Sequence, residues 1–285
     1  MSRISTTLKV AGLAAATAIT LGLTIPAAAS AAPSMPAHPA PGPAKPTVVL
    51  VHGAWADASS FAPVTADLQK DGYTVLNAPN PLRGVASDAA DVAAFVNQHT
   101  TGPVILVGHS YGGSVITAAA TRTPTVTALV YVDAYAPDAG DSVISLTGAQ
   151  PGSALAGSDP TKVFDFVQYP QAEGGSDVDA YIKTNLFRQI FAAGLPASQT
   201  NVLAASQSPV ALSALATPFT GTPAWKTIKS YFFVGTNDAV LPAAEQLALA
   251  KRANGVVATA KADHLSMLEV PNRVADLIER AAAGR

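Results

Sequence analysis

The residues best suited to covalent chemistry lie in a five-residue stretch, G-H-S-Y-G, at positions 108–112. An apolar run typical of a strand precedes it, and a run of small residues compatible with a helix follows. In this context Gly-x-Ser-x-Gly predicts a sharp strand-to-helix turn that strains Ser110 and exposes its hydroxyl. Gly108 and Gly112 suit so sharp a turn because they lack a Cβ atom. A nucleophilic serine also needs a base, an acid and an oxyanion hole.

A histidine is the expected base for Ser110. The chain has five histidines, and His264 follows the last predicted strand, at the sheet edge where Ser110 is also expected. The other four have simpler interpretations: His38 lies in a Pro-rich segment, His52 ends the first strand, His99 lies near a helix end, and His109 is expected to point away from Ser110. His264 is therefore the predicted base.

An aspartate is needed to orient His264. Asp238 follows the fifth predicted strand, and it gives the chain order Ser…Asp…His that is expected with this type of turn. Capping of a helix that begins near Pro242 is the other role open to it. Asp133, which follows the fourth strand, is the alternative acid. Asp263 is disfavoured because side chains of adjacent residues diverge.

The oxyanion hole requires two N–H donors that point at the developing negative oxygen. The backbone N–H of Tyr111, directly after the nucleophile, is the first candidate. The second is the N–H of Ala54, in the H-G-A-W loop after the first strand, where Gly53 permits close approach.

Composition excludes several classes of site. The chain contains no cysteine, which rules out a thiol nucleophile, thiolate metal ligands and disulfides. Its formal net charge is −2 and it has no basic run, so nucleic acid is not an expected partner. No metal or organic cofactor is implied. Oligomeric state is not predicted.

The amino terminus predicts export. Two basic residues precede an apolar stretch, 10–26, which a run of small residues follows. This order is typical of a secretory signal peptide, predicted over 1–31. A Pro-rich linker is predicted over 32–46 and one domain over 47–285. No stretch after the leader is apolar for long enough to anchor the chain in a membrane, so a secreted protein is expected.

Six apolar runs are predicted to be the strands of a mostly parallel sheet that helices flank: Thr47–Val51, Tyr73–Ala78, Val104–Val107, Val126–Val132, Ser230–Val234 and Val256–Ala260. The long segment 137–225 separates the fourth and fifth strands. A loop of that length needs structure of its own, so a helical cap is predicted there, including an amphipathic helix over Asp177–Ala193.

Aromatic residues in this predicted cap are candidates for an apolar acyl or alcohol pocket, although packing in the helical core is the favoured role for most of them: Phe164, Phe166, Tyr181, Phe187 and Phe191.

Four motifs together resemble those of the α/β-hydrolase superfamily: H-G-A-W at 52–55, G-H-S-Y-G-G at 108–113, G-T-N-D at 235–238, and Asp263-His264. Within it, the chain resembles bacterial esterases related to plant methyl esterases and hydroxynitrile lyases, over about residues 47–282. The resemblance implies the strand order 2-1-3-4-5-6, with a ligand crevice between the first and third strands. The usual fold has two earlier strands, which the Pro-rich linker cannot supply.

The resemblance also separates hydrolysis from cyanohydrin cleavage. Lyases of this family place a lysine directly after the catalytic histidine and change the His-Gly pair, whereas Leu265 follows His264 here and His52-Gly53 is intact. The predicted function is a secreted serine hydrolase that cleaves small apolar esters through an acyl-enzyme. The alternatives are a lyase, perhydrolase or lactonase that uses the same triad, and a non-catalytic ligand-binding protein of the same fold.

Overall fold

The computed structural model describes residues 45–157, 159–172 and 174–285. The predicted signal peptide, 1–31, and nearly all of the predicted linker, 32–46, lie outside the described residues. Within the described ranges, none of the helices is both long enough and apolar enough to cross a bilayer.

A six-stranded parallel sheet lies at the centre of the described chain. The strands in chain order are β1 Thr47–Val51, β2 Val75–Asn77, β3 Val104–His109, β4 Val126–Val132, β5 Phe164–Pro170, β6 Ser176–Ile182, β7 Val210–Ala211, β8 Ser230–Gly235 and β9 Val256–Ala260. The central sheet has the order β2-β1-β3-β4-β8-β9, and every pairing in it is parallel. The predicted fold class is confirmed, with the strand order that the family resemblance implied.

Helices cover this sheet because its central strands are apolar on both faces. The helices in chain order are α1 Ala62–Lys70, α2 Val85–His99, α3 Tyr111–Ala119, α4 Val143–Thr147, α5 Thr184–Phe191, α6 Ala197–Ser206, α7 Leu212–Ala216, α8 Ala243–Arg252, α9 Ser266–Glu269 and α10 Pro271–Ala282. Every residue of β3 and β8 is buried. The direction of winding reverses between β1 and β3, so right-handed crossovers place helices on both faces; α1 packs beside α10 and α2 beside α3.

The parallel topology brings the predicted site residues to one sheet edge. Ser110 directly follows β3 and Asp133 directly follows β4. Asp238 and His264 lie in the loops after β8 and β9, and Ala54 lies in the loop after β1. Carboxyl ends of parallel strands share an edge, and the crevice there is the usual ligand site of open α/β sheets.

The segment 137–225 differs from the predicted helical cap because it contains a second sheet. Strands β5, β6 and β7 form an antiparallel sheet in that order, together with helices α4 to α7. The predicted helix over Asp177–Ala193 is half wrong: its first part is β6, and only the second part, α5, is helical.

The pairing of β6 with β5 explains this difference. Along β6, Val178, Ala180 and Ile182 alternate with more polar residues, which is the period of a strand. Val178 and Ile182 alone, four residues apart, also fit one face of a helix. The hairpin turn contains Gly174 and Gly175, both with positive φ. Two adjacent glycines were the available signal for a hairpin between two strand-like runs.

Candidate active site

Ser110 occupies the turn between β3 and α3 in a strained conformation. Its φ is 52° and its ψ is −124°, in a region that residues other than glycine seldom adopt. Three backbone hydrogen bonds hold it there: the Ser110 N–H donates to the carbonyl of Val132 at 3.2 Å, and the Ser110 carbonyl accepts from Gly113 at 2.9 Å and Tyr135 at 3.2 Å. Such strain costs on the order of 1–3 kcal/mol and persists only where neighbours enforce it.

Glycines allow the backbone to approach closely around this turn. A Cβ atom on Gly108 would lie 2.5 Å from the Gly112 carbonyl oxygen, and one on Gly112 would lie 2.5 Å from the Val51 carbonyl oxygen. A Cβ on Gly53 would lie 2.7 Å from the Ser110 Cβ. All three distances are too short for non-bonded atoms, so each of the predicted supporting glycines has a steric reason to be there.

The structure brings together the residues predicted as nucleophile, base and acid. Ser110 Oγ lies 2.8 Å from His264 Nε2, and His264 Nδ1 lies 2.8 Å from Asp238 Oδ2. An ionised carboxylate only accepts hydrogen bonds, so Nδ1 carries the ring hydrogen and Nε2 accepts from the Ser110 hydroxyl. All three residues are buried. This is the geometry in which a histidine can take a proton from a serine.

Four N–H groups surround the Asp238 carboxylate. Its Oδ1 accepts from the backbone N–H of Val240 at 2.8 Å and of Leu241 at 2.9 Å. Its Oδ2 accepts from Gln246 Nε2 at 2.8 Å as well as from His264. The two backbone bonds are of the kind expected from an aspartate at a turn, so Asp238 orients the ring and shapes its own loop. Gln246 was not predicted, because nothing in its sequence neighbourhood indicates this contact.

Burial sets the protonation states of the pair. It lowers the pKa of His264 from 6.5 to about 3, so the ring is neutral and able to accept a proton near pH 7. Burial raises the pKa of Asp238, while the N–H groups of Leu241 and Val240 act in the opposite direction by stabilising the carboxylate.

The alternative acid, Asp133, makes other contacts. Its Oδ1 accepts from the Gly235 N–H at 2.7 Å, and its Oδ2 accepts from the Ser266 hydroxyl. Burial and the nearby charge of Asp238 both raise the Asp133 pKa. The hydrogen-bond partner of His264 is therefore Asp238. Asp133 instead connects the segment that carries Asp238 to the segment that carries His264. Among the described residues, no three His, Cys, Asp or Glu side chains are grouped as ligands of one metal ion.

The two predicted oxyanion donors border the same cavity as Ser110. In the described part of the chain, neither the Ala54 N–H nor the Tyr111 N–H donates a hydrogen bond. The loop that carries Ala54 is held by Asn80, whose Nδ2 donates to the His52 carbonyl at 2.7 Å. Both donors are therefore available to an oxygen atom bound next to Ser110.

His109 has a structural position that the sequence did not reveal. It was expected to point away from Ser110, and its ring packs against the His264 ring with centroids 4.8 Å apart. His109 Nε2 lies 2.8 Å from the His264 carbonyl oxygen, which can only accept, so Nε2 is the donor. His109 thus links the serine turn to the loop of the base.

An apolar cavity of about 370 Å³ opens above Ser110. Loops at the sheet edge form its floor, and the cap contributes most of its wall, including Val143, Ile144, Leu155, Phe164, Phe166 and Leu215. None of its described lining residues is an aspartate, glutamate, lysine, arginine or histidine.

The five aromatic candidates separate into two groups. Phe164 and Phe166 line the cavity, whereas Tyr181, Phe187 and Phe191 are not among its lining residues. Phe187 and Phe191 are fully buried, and the Phe191 ring lies 5.0 Å from the His264 ring. Packing is therefore their observed role.

Comparison with known sequences identifies the family. The family model described as the alpha/beta hydrolase family matches residues 48–277. The chain belongs to this family. The matched range includes the Ser110 turn, the cap and the loop of His264, and it agrees with the resemblance seen in the four motifs.

Three known proteins illustrate the similarity. A carbendazim hydrolyzing esterase from Nocardioides sp. (strain SG-4G) is 38% identical over an alignment of 110 residues that covers 34% of this chain and 46% of that protein. A pyrethroid hydrolase from Sphingobium faniae JZ-2 matches with a TM-score of 0.64 and 22% identity, over 84% of this chain and 97% of its own. Polyneuridine aldehyde esterase matches with a TM-score of 0.69 and 18% identity, over 82% and 98%. The two structural matches establish the fold.

Proposed function

We propose that this protein hydrolyses carboxylic esters through an acyl-enzyme formed on Ser110. The observation that carries the proposal is the continuous series of hydrogen bonds from Ser110 through His264 to Asp238, beneath an apolar cavity. Two relatives named as an esterase and a pyrethroid hydrolase support ester chemistry as the first activity to test.

The acylation step uses each of these groups. Ser110 Oγ attacks the ester carbonyl carbon while its proton passes to His264 Nε2, and Asp238 stabilises the resulting imidazolium. The carbonyl oxygen becomes negative and accepts hydrogen bonds from the N–H groups of Ala54 and Tyr111. The C–O bond then breaks, and the imidazolium gives its proton to the departing alcohol.

Deacylation repeats this chemistry with water. The neutral His264 takes a proton from a water molecule, whose oxygen attacks the acyl carbon. Breakdown of the second tetrahedral intermediate returns the proton to Ser110 Oγ and releases the carboxylic acid.

The cavity supports small, uncharged, apolar esters as substrates. Its volume of about 370 Å³ is within the range of small-molecule sites. An ionised substituent would lose its hydration without gaining an opposite charge from any of the described lining residues.

Hydrolysis of p-nitrophenyl butyrate by wild type and by Ser110→Ala tests the proposal. We expect Ser110→Ala to lower kcat by more than about 10⁴-fold, because no other group replaces the nucleophile. Ser114→Ala, a buried serine on α3, is the matched control and should keep its activity. Labelling by an organophosphate should modify Ser110. An inactive wild type, or full activity in Ser110→Ala, would show that the proposal is wrong.

We also propose that the protein is exported after cleavage near Ala31. The basic, apolar and small-residue order of positions 1–31 supports this. Amino-terminal sequencing of the protein recovered from culture medium tests it; recovery of the uncleaved chain from cells alone would contradict it.

A further inference from the structure

Two residues that line the cavity carry hydroxyl groups that the proposed reaction does not use. Tyr135, in the loop after β4, and Thr147, at the end of α4, both line the cavity. Their hydroxyl oxygens lie 2.7 Å apart. Thr147 Oγ1 also lies 2.7 Å from the carbonyl oxygen of Val143.

These distances fix the direction of both hydrogen bonds. The Val143 carbonyl can only accept, so the single hydroxyl hydrogen of Thr147 points to it. Tyr135 must then donate its own hydrogen to Thr147. Burial raises the pKa of Tyr135, so the phenol keeps that hydrogen at neutral pH. Both hydrogens are committed within the wall, whereas lone pairs on both oxygens remain able to accept.

The other polar side chains of the wall also have their hydrogens committed. Trp55 Nε1 donates to the Ala180 carbonyl at 2.9 Å, and the Tyr111 hydroxyl donates to Asp88 at 2.7 Å. Apart from Ser110, the side chains in the described part of the wall therefore offer hydrogen-bond acceptors and no free donors. Such a wall suits a ligand that carries a donor.

We propose that Tyr135 and Thr147 form a recognition site for a hydroxyl or N–H group on an uncharged ester substrate. This inference rests on the proposed ester hydrolysis. A donor that enters an apolar cavity loses its bonds to water, and an acceptor in the wall replaces one of them. A carboxylate or other anionic group gains nothing from the pair, because both hydroxyl hydrogens point away from it.

Matched esters measure this recognition. One series consists of p-nitrophenyl phenylacetates and the other of benzyl butyrates, each with a hydroxyl or a methyl group at ring position 2, 3 or 4. The two series place the donor on either side of the scissile bond. The measured quantity is the ratio of kcat/KM for the hydroxyl and methyl members of each pair, which is independent of the fraction of active enzyme.

The chain offers a matched control. The Tyr131 hydroxyl oxygen lies 2.9 Å from Thr117 Oγ1, and the Thr117 hydroxyl donates to the Gly113 carbonyl at 2.8 Å. This tyrosine, threonine and carbonyl repeat the arrangement of Tyr135, Thr147 and Val143, but they lie in the core and do not line the cavity. Tyr135→Phe should lower the hydroxyl-to-methyl ratio about tenfold in at least one pair. Tyr131→Phe should leave every ratio at the wild-type value.

The outcomes separate this inference from the proposed function. If p-nitrophenyl butyrate is hydrolysed and Tyr135→Phe changes no ratio, or if the hydroxyl-bearing esters are all rejected, the recognition site is wrong and the esterase stands. If wild type hydrolyses no ester, or Ser110→Ala remains active, the proposed function is wrong and the inference fails with it.

Discussion

Asp133 and Asp238 follow adjacent strands, yet their carboxylates have different partners. Asp238 reaches His264, whereas Asp133 has a positive φ of 46° and turns toward Gly235 and Ser266. Gly235 lies shortly before Asp238, and Ser266 lies shortly after His264. Asp133 therefore holds the two loops in register, and its contribution to the reaction is expected to be indirect.

Substitution of each aspartate by asparagine tests this distinction. Asp238→Asn removes the carboxylate that stabilises the His264 imidazolium, so kcat should fall by about 10⁴-fold. Asp133→Asn keeps a carbonyl oxygen that accepts from Ser266 or Gly235, so we expect a fall of no more than about tenfold. The measurement is kcat on p-nitrophenyl butyrate. A larger loss for Asp133→Asn would assign the acid to the loop after β4.

The sequence was sufficient for residues whose position follows from the order of motifs. Ser110, His264 and Asp238 each lie directly after a strand or in the loop that follows one, and a parallel sheet brings those loops together. Gln246 and Thr147 lie on helices, and their contacts depend on how those helices dock. No local pattern encodes that docking, so neither residue could be singled out.

At the scale of elements, the position of Ser110 depends on close backbone contacts of α3 with β1 and β3. Ser110 is the single residue between β3 and the helix, and Gly112, in the first turn of the helix, lies against the carbonyl of Val51. The site therefore depends on a backbone contact that any side chain at this position would push apart.

Gly112→Ala should destabilise the fold by about 1–3 kcal/mol, because its Cβ would lie 2.5 Å from the Val51 carbonyl oxygen. Gly148→Ala is the matched control: Gly148 has a φ of −94°, and a Cβ there would lie at an ordinary contact distance of 3.8 Å from the Ile144 carbonyl oxygen. Urea unfolding measures both variants. Equal stability of Gly112→Ala and wild type would contradict the proposed contact.

The sequence predicts the strands of the central sheet better than it predicts the secondary structure of the cap. Apolar runs predicted β4 and β9 with their observed ends. The run in β4 matches a strand that is buried on both faces, whereas β9 lies at the sheet edge and is only partly buried. In the cap, Val178 and Ile182 fit one face of a helix and one face of a strand alike. Pairing with β5 across the Gly174-Gly175 turn decides between them.

At the scale of the whole molecule, buried histidines link stability to pH. Burial lowers the pKa of both His109 and His264 from the usual value of 6.5, His264 to about 3. The unfolded chain therefore binds these protons first as pH falls, so their contribution to stability is present above pH 6.5 and is lost as pH falls toward the folded values. The raised pKa values of Asp133 and Asp238 act in the opposite direction, because they favour the folded state at low pH.

His109→Gln isolates one of these contributions. Glutamine retains an N–H donor for the His264 carbonyl but has no proton to bind in this range. Below pH 6.5 the free energy of unfolding should depend less steeply on pH, by up to about 1.4 kcal/mol per pH unit. Urea unfolding at pH 7.5 and 5.5 measures the slope, with His99→Gln at an exposed position as control. An unchanged slope in His109→Gln would contradict the link.

The cavity has a floor and a wall of different origin. Ala54, Ser110 and Tyr111 lie in loops of the central sheet, whereas Val143, Phe164 and most other wall residues belong to one continuous insertion. Substitutions in that insertion leave the nucleophile, base and acid on an unchanged frame. Under the proposed function, we therefore expect substitutions in the insertion to change substrate preference while Ser110, His264 and Asp238 keep their positions.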